Sequence, residues 1–480
     1  MPRPISRRRV LQAALAGSVL PAAGWSNAVR ASTTADVIVI GAGLSGLHAA
    51  SLLTGEGARV TVLEAQSRLG GRLESFADLP GAPEAGGDSI LGGYGRVLSA
   101  ARELGLELID HAPRRGLSKP EIALGGKVIP RDRWPEDPRN LLPEGSKGEF
   151  PGRKFFEKTV RANSPLAKLE DWLQPESREL DRSVYEFLEG LGWSASTIAQ
   201  NYETNIGRGT SAHDCSILTW FFRVAWDRRQ RQLGTLAAKV KGGNQRLPEA
   251  MAARLPGDVL TGRRVMRITQ SSTGVEVITD NGERHLAKEV VSALPVAPLR
   301  WVAFDPVLPP VLSQAIKVLP SMMITKIILQ PEKNFWDDDG LDPAMWTDTS
   351  LGDVRALRQF GDSTEITGLV ARARGFVAQR LDRLGETAAR ELVVREYEKL
   401  RPAAAGKLKA AAFKSWNMDP YAGGSWTEWR PGQLHSFLPA FSENYGRLRF
   451  CGEHTAVSNR GMEAAMEAAE RAAVATLLKL

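Results

Sequence analysis

The sequence predicts an α/β fold built around a parallel sheet, and two observations predict it. Residues Val37–Ile40 form an unbroken β-branched run, typical of a parallel strand that is buried on both faces. After a glycine-rich turn, Leu47–Leu53 has the composition of a packed helix, and Val60–Leu63 is a second apolar run. Strand, helix and strand in this order form the repeating unit of such sheets. A chain of 480 residues has room for roughly two or three domains.

The turn after the first strand has the spacing G-x-G-x-x-G, since residues 41–46 read GAGLSG. Gly41 makes the tight turn, Gly43 lets the backbone approach a pyrophosphate, and Gly46 packs the helix on the strand. The helix N-terminus offers free N–H groups to phosphates. Glu64 ends the second strand and can accept hydrogen bonds from a ribose diol. Together these features predict a Rossmann-like dinucleotide-binding domain, with FAD or NAD favoured over NADP.

The next motif distinguishes FAD from NAD. Residues 64–72 read EAQSRLGGR, in which two glycines let the chain pass close to a cofactor and Arg72 offers a forked donor to phosphate. The alternative is that these arginines are solvated surface residues. The run resembles the FAD-binding signature of the flavin-containing amine oxidase family, which includes monoamine, polyamine and L-amino-acid oxidases and bacterial nicotine-type oxidoreductases. The resemblance implies FAD contacts from Glu64, Ala65 and Arg72.

The resemblance extends over nearly the whole chain after residue 31. Residues 84–87 (EAGG) are similar to the family's E-x-G-G segment, which implies that Gly86 and Gly87 pass near the flavin. Residues 242–247 (GGNQRL) begin a second FAD-binding segment, and the family places the backbone at Val265 against the adenine. A plain β-hairpin scaffold is the alternative for the strands that follow.

The C-terminal segment carries the most specific similarity. Residues 416–426 (WNMDPYAGGSW) resemble the family's W-x-x-D-P-x-x-x-G-S stretch, and residues 448–455 (LRFCGEHT) resemble its F-A-G-E-x-T strand. A last helix opens after residue 460, and its N-terminus would stabilise negative charge on the reduced flavin. The cofactor contacts that the resemblance implies here are Gly452, Glu453 and Met462.

Three positions are candidates for the reacting end of the site. Lys326 is isolated in an apolar strand and needs a partner or an altered pKa, and the resemblance implies that it reaches the flavin N5 through a water. Its alternative is a solvent-facing sheet edge. Monoamine oxidases hold the amine between two tyrosines, but the matching positions here are Trp426 and Gly461, so we expect one aromatic wall and a bulkier amine. Core packing is the alternative for Trp426. Ser425 replaces the flavin-linking cysteine, which predicts non-covalent FAD.

The chemistry that the resemblance implies is FAD-dependent oxidation of the C–N bond of a small-molecule amine. Hydride passes to N5, and water hydrolyses the resulting imine to a carbonyl and an amine or ammonia. O2 or a periplasmic c-type cytochrome accepts the electrons. The family's L-amino-acid oxidases use an arginine just after E-x-G-G, but none occurs here before Arg96, which disfavours an α-amino acid. A desaturase or oxidase of carotenoid or porphyrinogen type and a non-catalytic flavoprotein redox partner are the alternatives.

The motifs divide the chain into an FAD-binding domain (32–88, 240–304 and 412–480) and an interleaved α+β substrate-binding domain (89–239 and 305–411).

Four further features fall in the substrate-binding domain. Residues 113–165 are rich in Pro, Gly and charge and are expected to form a loop-like insertion that lines or covers an entrance. Helical patterns occur at Arg178–Leu191 and Phe376–Leu400. The basic run Arg223–Arg231 is expected to be a solvated helix face rather than a nucleic-acid patch.

Residues 1–31 have the architecture of an export signal. Four arginines in the first nine residues precede the apolar run Val10–Ala23, and small-residue cleavage sites follow at Ala28 and Ala31. Residues 6–11 (SRRRVL) resemble the twin-arginine signal, which implies the twin-arginine export machinery and a periplasmic location. A plain Sec signal or an uncleaved anchor is the alternative.

The overall charge agrees with this interpretation. Five arginines of residues 1–31 supply most of the formal net charge of +7, and the rest of the chain carries +2, which argues against nucleic acid. The 43% hydrophobic and 24% charged content excludes a disordered chain and a multi-span membrane protein, so no membrane span is expected. Cys215 and Cys451 lie far apart, which argues against a metal site. The oligomeric state, with a homodimer as one option, is left open.

Overall fold

A computed structural model describes residues 34–111, 118–234, 236–358 and 363–480. The predicted signal peptide, its cleavage sites and residues 32–33 of the FAD-binding segment lie outside these residues. Among the residues that the structure describes, no helix combines the length and the apolar character needed to cross a membrane.

The larger sheet has eight strands, and its centre is the apolar run that opens the described chain. Thr34–Ile40 pairs in parallel with Val60–Leu63 on one side and with Arg284–Ser292 on the other. In spatial order the strands are Ala303–Asp305, Val265–Gln270, Val275–Thr279, Arg284–Ser292, Thr34–Ile40, Val60–Leu63 and Val259–Leu260, and Leu448–Phe450 also pairs with Arg284–Ser292. The predicted strand–helix–strand unit is therefore present, with its helix at Leu44–Gly55.

A second sheet has seven strands, and a third has three. The seven strands are, in spatial order, Leu408–Ser415, Ile324–Pro331, Ile366–Arg374, Asp353–Arg358, Met345–Thr347, Glu121–Leu124 and Lys127–Ile129. The three are Ile90–Leu91, Ala237–Val240 and Leu108–Asp110. The strand Ile324–Pro331 has a neighbour on both sides, so the candidate Lys326 does not lie at a sheet edge.

The α-helices connect and cover these sheets. They are Leu44–Gly55, Gly95–Glu103, Arg153–Ala162, Val184–Gly190, Ala195–Ile198, Ile217–Gln232, Arg246–Arg254, Val296–Leu299, Pro310–Val318, Trp336–Asp339, Phe376–Leu384, Glu386–Leu400, Leu434–Ser442 and Gly461–Leu477. The first and last of these pack closely against each other through small side chains, and both contact the central strand Arg284–Ser292 of the eight-stranded sheet.

Three expectations about the substrate-binding domain are corrected. Residues 113–165 are not simply loop, because they supply the last two strands of the seven-stranded sheet and a helix that buries Phe155 and Phe156. The pattern at Arg178–Leu191 yields an α-helix only from Val184, and its first residues end the 3-10 helix Pro175–Leu180. Phe376–Leu400 is two helices, which are separated at Gly385, where φ is 78°.

A buried ion pair fixes the end of the helix Glu386–Leu400, and its removal is expected to destabilise the fold. Arg401 is almost fully buried, and its guanidinium meets both carboxylate oxygens of Asp339 at 2.8 and 2.7 Å and the carbonyl of Asp342 at 2.7 Å. Arg401→Met leaves these acceptors without their donor. We expect a loss of roughly 3 kcal/mol in the free energy of unfolding, at the lower end for a broken buried pair because Asp339 keeps some access to water.

Urea unfolding measures this loss, and Arg395→Met on the same helix is the control. Arg395 and its partner Glu391 are both mostly exposed and lie 3.6 Å apart, so we expect no measurable change. Equal unfolding midpoints for Arg401→Met and the unmodified protein would contradict the role given to this pair.

Candidate active site

The site residues predicted from the sequence meet at one cavity of about 600 Å³. It is lined by residues of the eight-stranded sheet, among them Ile40 and Glu64, and of the seven-stranded sheet, among them Ile324 and Lys326. The predicted residues at its wall are Gly41, Gly43, Glu64, Ala65, Arg72, Gly86, Gly87, Val265, Lys326, Trp426, Gly452, Glu453, Gly461 and Met462. Gly46 lies just behind the wall.

The glycine-rich turn forms a cradle with free backbone donors. Gly41 has φ of 102°, and a Cβ at Gly46 would lie 1.9 Å from the Gly41 carbonyl oxygen, so the helix packs directly on the turn. Gly43 caps the helix, and no side chain accepts a hydrogen bond at this N-terminus. The first-turn N–H groups and their partial positive charge are therefore available to a diphosphate.

The Glu64 carboxylate lies where a ribose is expected. It is buried, and its two oxygens accept hydrogen bonds from the backbone N–H groups of Ala42 and Gln66, both at 2.8 Å. Burial raises the pKa of Glu64, while these N–H groups and Arg68 act in the opposite direction. Each oxygen has a further lone pair, which suits a diol. Cradle and carboxylate together fit a dinucleotide.

An ion pair joins two distant FAD-binding motifs at the cavity wall. The Arg72 guanidinium donates to Glu453 Oε2 at 3.0 Å and to the carbonyl of Ser425 at 2.9 Å. These residues come from the second and the last of the predicted motifs, and the pair fixes them against each other. The structure brings together residues that the sequence linked only through family similarity.

Lys326 is held by the E-x-G-G segment. Its Nζ donates to the carbonyls of Glu84 and Gly86 at 2.9 and 3.2 Å. Burial lowers the pKa of Lys326 to about 8, while Asp88 raises it and Arg372 lowers it further. A pKa of about 8 means that Lys326, at the cavity wall, is mostly protonated at neutral pH and loses its proton above about pH 8.

Trp426 is fixed by a buried carboxylate that the sequence analysis missed. Its indole N–H donates to Glu428, which forms an ion pair with Arg208 at 3.1 Å. Glu428 is fully buried, and burial raises its pKa to about 7. The spacing of two residues gave a signal, since it places Trp426 and Glu428 on the same side of an extended segment.

Aromatic side chains other than Trp426 also line the cavity, beside Gly461. Gly461 has φ of 62°, and a Cβ there would approach the Tyr94 hydroxyl to 3.1 Å. Tyr94 packs on Trp226 with ring centroids 6.0 Å apart, and both line the cavity. We call this part of the wall the aromatic pocket, which comprises Tyr94, Trp172, Phe222, Trp226 and Trp429. Tyr94, from a different part of the chain, therefore lies beside the position that matches the second tyrosine.

The basic run Arg223–Arg231 is only partly a solvated face. Arg228, Arg229 and Arg231 are exposed, as expected. Arg223 and Trp226, however, lie one helical turn apart and both line the cavity.

The nearest arginine after E-x-G-G, Arg96, is not at the cavity wall and instead pairs with Glu463 and Glu470 at 2.9 and 2.7 Å. Within the described parts of the chain no group of three His, Cys, Asp or Glu could hold a metal ion.

Comparison with known proteins agrees with this geometry. The family model described as flavin containing amine oxidoreductase matches residues 44–477. The flavin-containing amine oxidase B of Homo sapiens is 29% identical over 475 residues, which cover 92% of this chain and 86% of that protein. An L-amino acid dehydrogenase of Synechocystis is 25% identical over 489 residues, which cover 93% and 95%. Cyclohexylamine oxidase from Brevibacterium oxydans shares the fold, with a TM-score of 0.72 at 23% identity, covering 93% of this chain and 99% of that structure. The predicted α/β fold class is confirmed.

Proposed function

We propose that this chain, which belongs to the flavin containing amine oxidoreductase family, oxidises a C–N bond of a small-molecule amine by hydride transfer to FAD. The family identifies an oxidoreductase that acts on amines and implies FAD as its cofactor. The observation that carries the finer proposal is that the dinucleotide cradle, Lys326 and the aromatic pocket share one cavity. This arrangement supports an apolar amine site beside the predicted position of the flavin.

The residues that hold FAD are those of the cradle. The helix N-terminus at Gly43 would bind the diphosphate, and Glu64 would bind the ribose. The Arg72–Glu453 pair would hold together the two segments that surround the cofactor. When bound, FAD supplies the two-electron acceptor for a hydride. Ser425 at the cavity wall supports non-covalent attachment. Within the described residues, neither Cys215 nor Cys451 lines the cavity.

The protein's contribution to the chemistry is orientation and desolvation. The aromatic pocket favours the neutral form of an amine, because burial disfavours the ammonium ion. A neutral amine needs no dedicated base, and the nitrogen lone pair assists loss of hydride from the adjacent carbon. The Glu428–Arg208 pair holds the Trp426 indole in one orientation against the amine. Water then hydrolyses the imine to a carbonyl and an amine or ammonia.

The electrons leave for an external acceptor. We propose O2, which is reduced to hydrogen peroxide, or two molecules of a periplasmic c-type cytochrome, with Lys326 supplying positive charge at the cavity wall.

Export by the twin-arginine machinery is part of this proposal and rests on residues 6–11 alone. Cell fractionation tests it: replacing Arg7 and Arg8 with lysine is expected to keep the protein in the cytoplasm, and unchanged export would contradict it.

Anaerobic mixing of the purified protein with a panel of amines tests the reaction. We expect at least one amine to bleach the flavin band at about 450 nm within seconds, since reduction removes this absorption. Admitting O2 or cytochrome c then identifies the acceptor. Turnover of a polyene or porphyrinogen without bleaching by any amine would instead indicate the desaturase or oxidase alternative. No reduction by any substrate would favour a non-catalytic flavoprotein.

A further inference from the structure

One arginine of the cavity differs from its neighbours. Arg460 immediately precedes the last helix and lines the cavity, with its guanidinium 5.4 Å from the centre of the Trp226 ring. Within the described residues, its guanidinium forms no ion pair with a carboxylate and no hydrogen bond, although Asp227 lies near enough to act on its charge. This contact with the face of the indole stabilises the guanidinium at the cavity wall and leaves its N–H groups available to a ligand.

The other arginines near the aromatic pocket already have carboxylate partners. Arg208 pairs with Glu428 at 3.1 Å, and Arg223 pairs with Glu157 at 3.1 Å. Arg372 and Arg374 share Asp353. Each of these carboxylates therefore serves to neutralise the wall rather than to bind a ligand. Of the five arginines compared, Arg460 is the one that has no carboxylate at ion-pair distance among the described residues.

The positive charge around Arg460 is in excess. Burial lowers the pKa of Arg460 to about 9, and Arg223 and Arg208 lower it further, whereas Asp227 and Tyr94 raise it. When the residues that pair with this part of the wall are included, the group has four arginines and three carboxylates. The arginines are Arg153, Arg208, Arg223 and Arg460, and the carboxylates are Glu157, Asp227 and Glu428. An anion is the ligand that such a surplus stabilises, and a planar guanidinium matches the two oxygens of a carboxylate.

We infer that the amine substrate also carries a carboxylate and that Arg460, with Arg223 beside it, binds this group. The inference rests on the proposed amine oxidation and names the class of its substrate. Gly461 makes it sterically reasonable, because the absence of a side chain there leaves the wall open between Tyr94 and Arg460. The sequence disfavoured an amino acid because no arginine follows E-x-G-G, yet the structure supplies one from the start of the last helix.

Matched substrate pairs test this assignment on the holoenzyme. The first pair is L-phenylalanine and 2-phenylethylamine, and the second is L-leucine and isoamylamine; in each, the two amines differ by the carboxylate alone. We expect the carboxylate-bearing member to have a kcat/KM of flavin reduction at least tenfold higher, roughly the effect of one hydrogen bond to a charged group. Preference for the amine without the carboxylate in both pairs would overturn the inference and leave amine oxidation intact. If no amine of either kind reduces the flavin, the proposed function itself fails.

Variants at Arg460 test whether this residue is the source of the preference for carboxylate-bearing amines. Arg460→Met is expected to lower kcat/KM for the carboxylate-bearing amines roughly 10- to 100-fold, mainly through KM, and to lower it much less for their partners without the carboxylate. Arg460→Lys, which keeps the charge but not the fork, is expected to recover part of the loss. Arg229→Met is the control, since Arg229 lies on the exposed face of the helix that carries Arg223. An equal loss for both members of a pair would contradict carboxylate binding by Arg460.

A binding measurement on the unmodified protein covers the case in which the Arg460 variants do not fold. Benzoate is expected to perturb the flavin spectrum and to compete with the carboxylate-bearing amine, whereas benzamide, of the same shape without the charge, is not. Equal competition by the two would overturn the inference.

Discussion

Gly46→Ala is expected to yield a purified protein that has lost most of its flavin. The added Cβ would lie 1.9 Å from the Gly41 carbonyl oxygen and 3.2 Å from the Ala293 Cβ, so the helix must move away from the first strand. This movement displaces the N–H groups that would bind the diphosphate. An overpacking cost of about 1–3 kcal/mol corresponds to a roughly 5- to 150-fold weaker affinity for FAD. The flavin-to-protein absorbance ratio and titration of the apoprotein with FAD measure it.

Gly55→Ala is the matched control for this prediction. Gly55 is the last residue of the same helix, and a Cβ there would have nothing within 4 Å. We expect its flavin content to equal that of the unmodified protein and its stability to rise by up to about 1 kcal/mol, because alanine is the better helix former. A Gly46→Ala protein that retains stoichiometric FAD would contradict the packing role given to Gly46.

The cradle could be predicted from the sequence because its physical requirements are local. A turn with φ of 102° at Gly41, a helix that starts at once and a carboxylate that ends the next strand all fall within 30 residues. Each requirement restricts the residue type, so the spacing alone carries the information. The central strand pairing then follows from the apolar runs, as Thr34–Ile40 and Val60–Leu63 show.

The substrate side of the cavity could not be predicted in this way. Tyr94, Trp226 and Arg460 are far apart in sequence, and each has an ordinary local explanation as a core aromatic or a surface cation. They become one pocket only through tertiary contacts. The last helix packs against the helix Gly95–Glu103, and both Arg460 and Tyr94 contact Trp226 of the helix Ile217–Gln232. The family's arginine position gave no signal for Arg460, which reaches the cavity from a different segment.

Lys326→Met is expected to slow reoxidation of the reduced enzyme by roughly 10²- to 10³-fold, the effect of losing one preorganised charged donor. Hydride transfer from the amine is expected to change little, because Lys326 is assigned to the passage of electrons to the acceptor. Stopped-flow measurement separates the two half-reactions. The variant also leaves the carbonyls of Glu84 and Gly86 without a donor, so its flavin content and thermal midpoint must be measured alongside.

Lys414→Met is the matched control, since Lys414 lies directly opposite Lys326 on the neighbouring strand. Lys414 pairs with Glu74 and Asp419 at 2.7 and 2.9 Å and does not line the cavity. We expect it to reoxidise at the rate of the unmodified protein, even if its stability falls. Equal slowing in both variants would show that Lys326 acts on the sheet rather than on the acceptor.

The pH dependence distinguishes charge from shape at this position. Burial lowers the pKa of Lys326 to about 8. Arg372 and Arg374 also lower it, whereas Asp88 and Glu84 raise it. Lys326 therefore carries its positive charge below pH 8 and loses it above. The reoxidation rate constant of the unmodified protein is therefore expected to fall as the pH rises through about 8, whereas Lys326→Met shows no such step. Lys326→Arg keeps its charge at every accessible pH and is expected to lose the step while staying faster than Lys326→Met. If the step near pH 8 persists in Lys326→Met, it belongs to another group. Glu84 is then the first candidate to test, because its burial raises the pKa of its carboxyl to about 8.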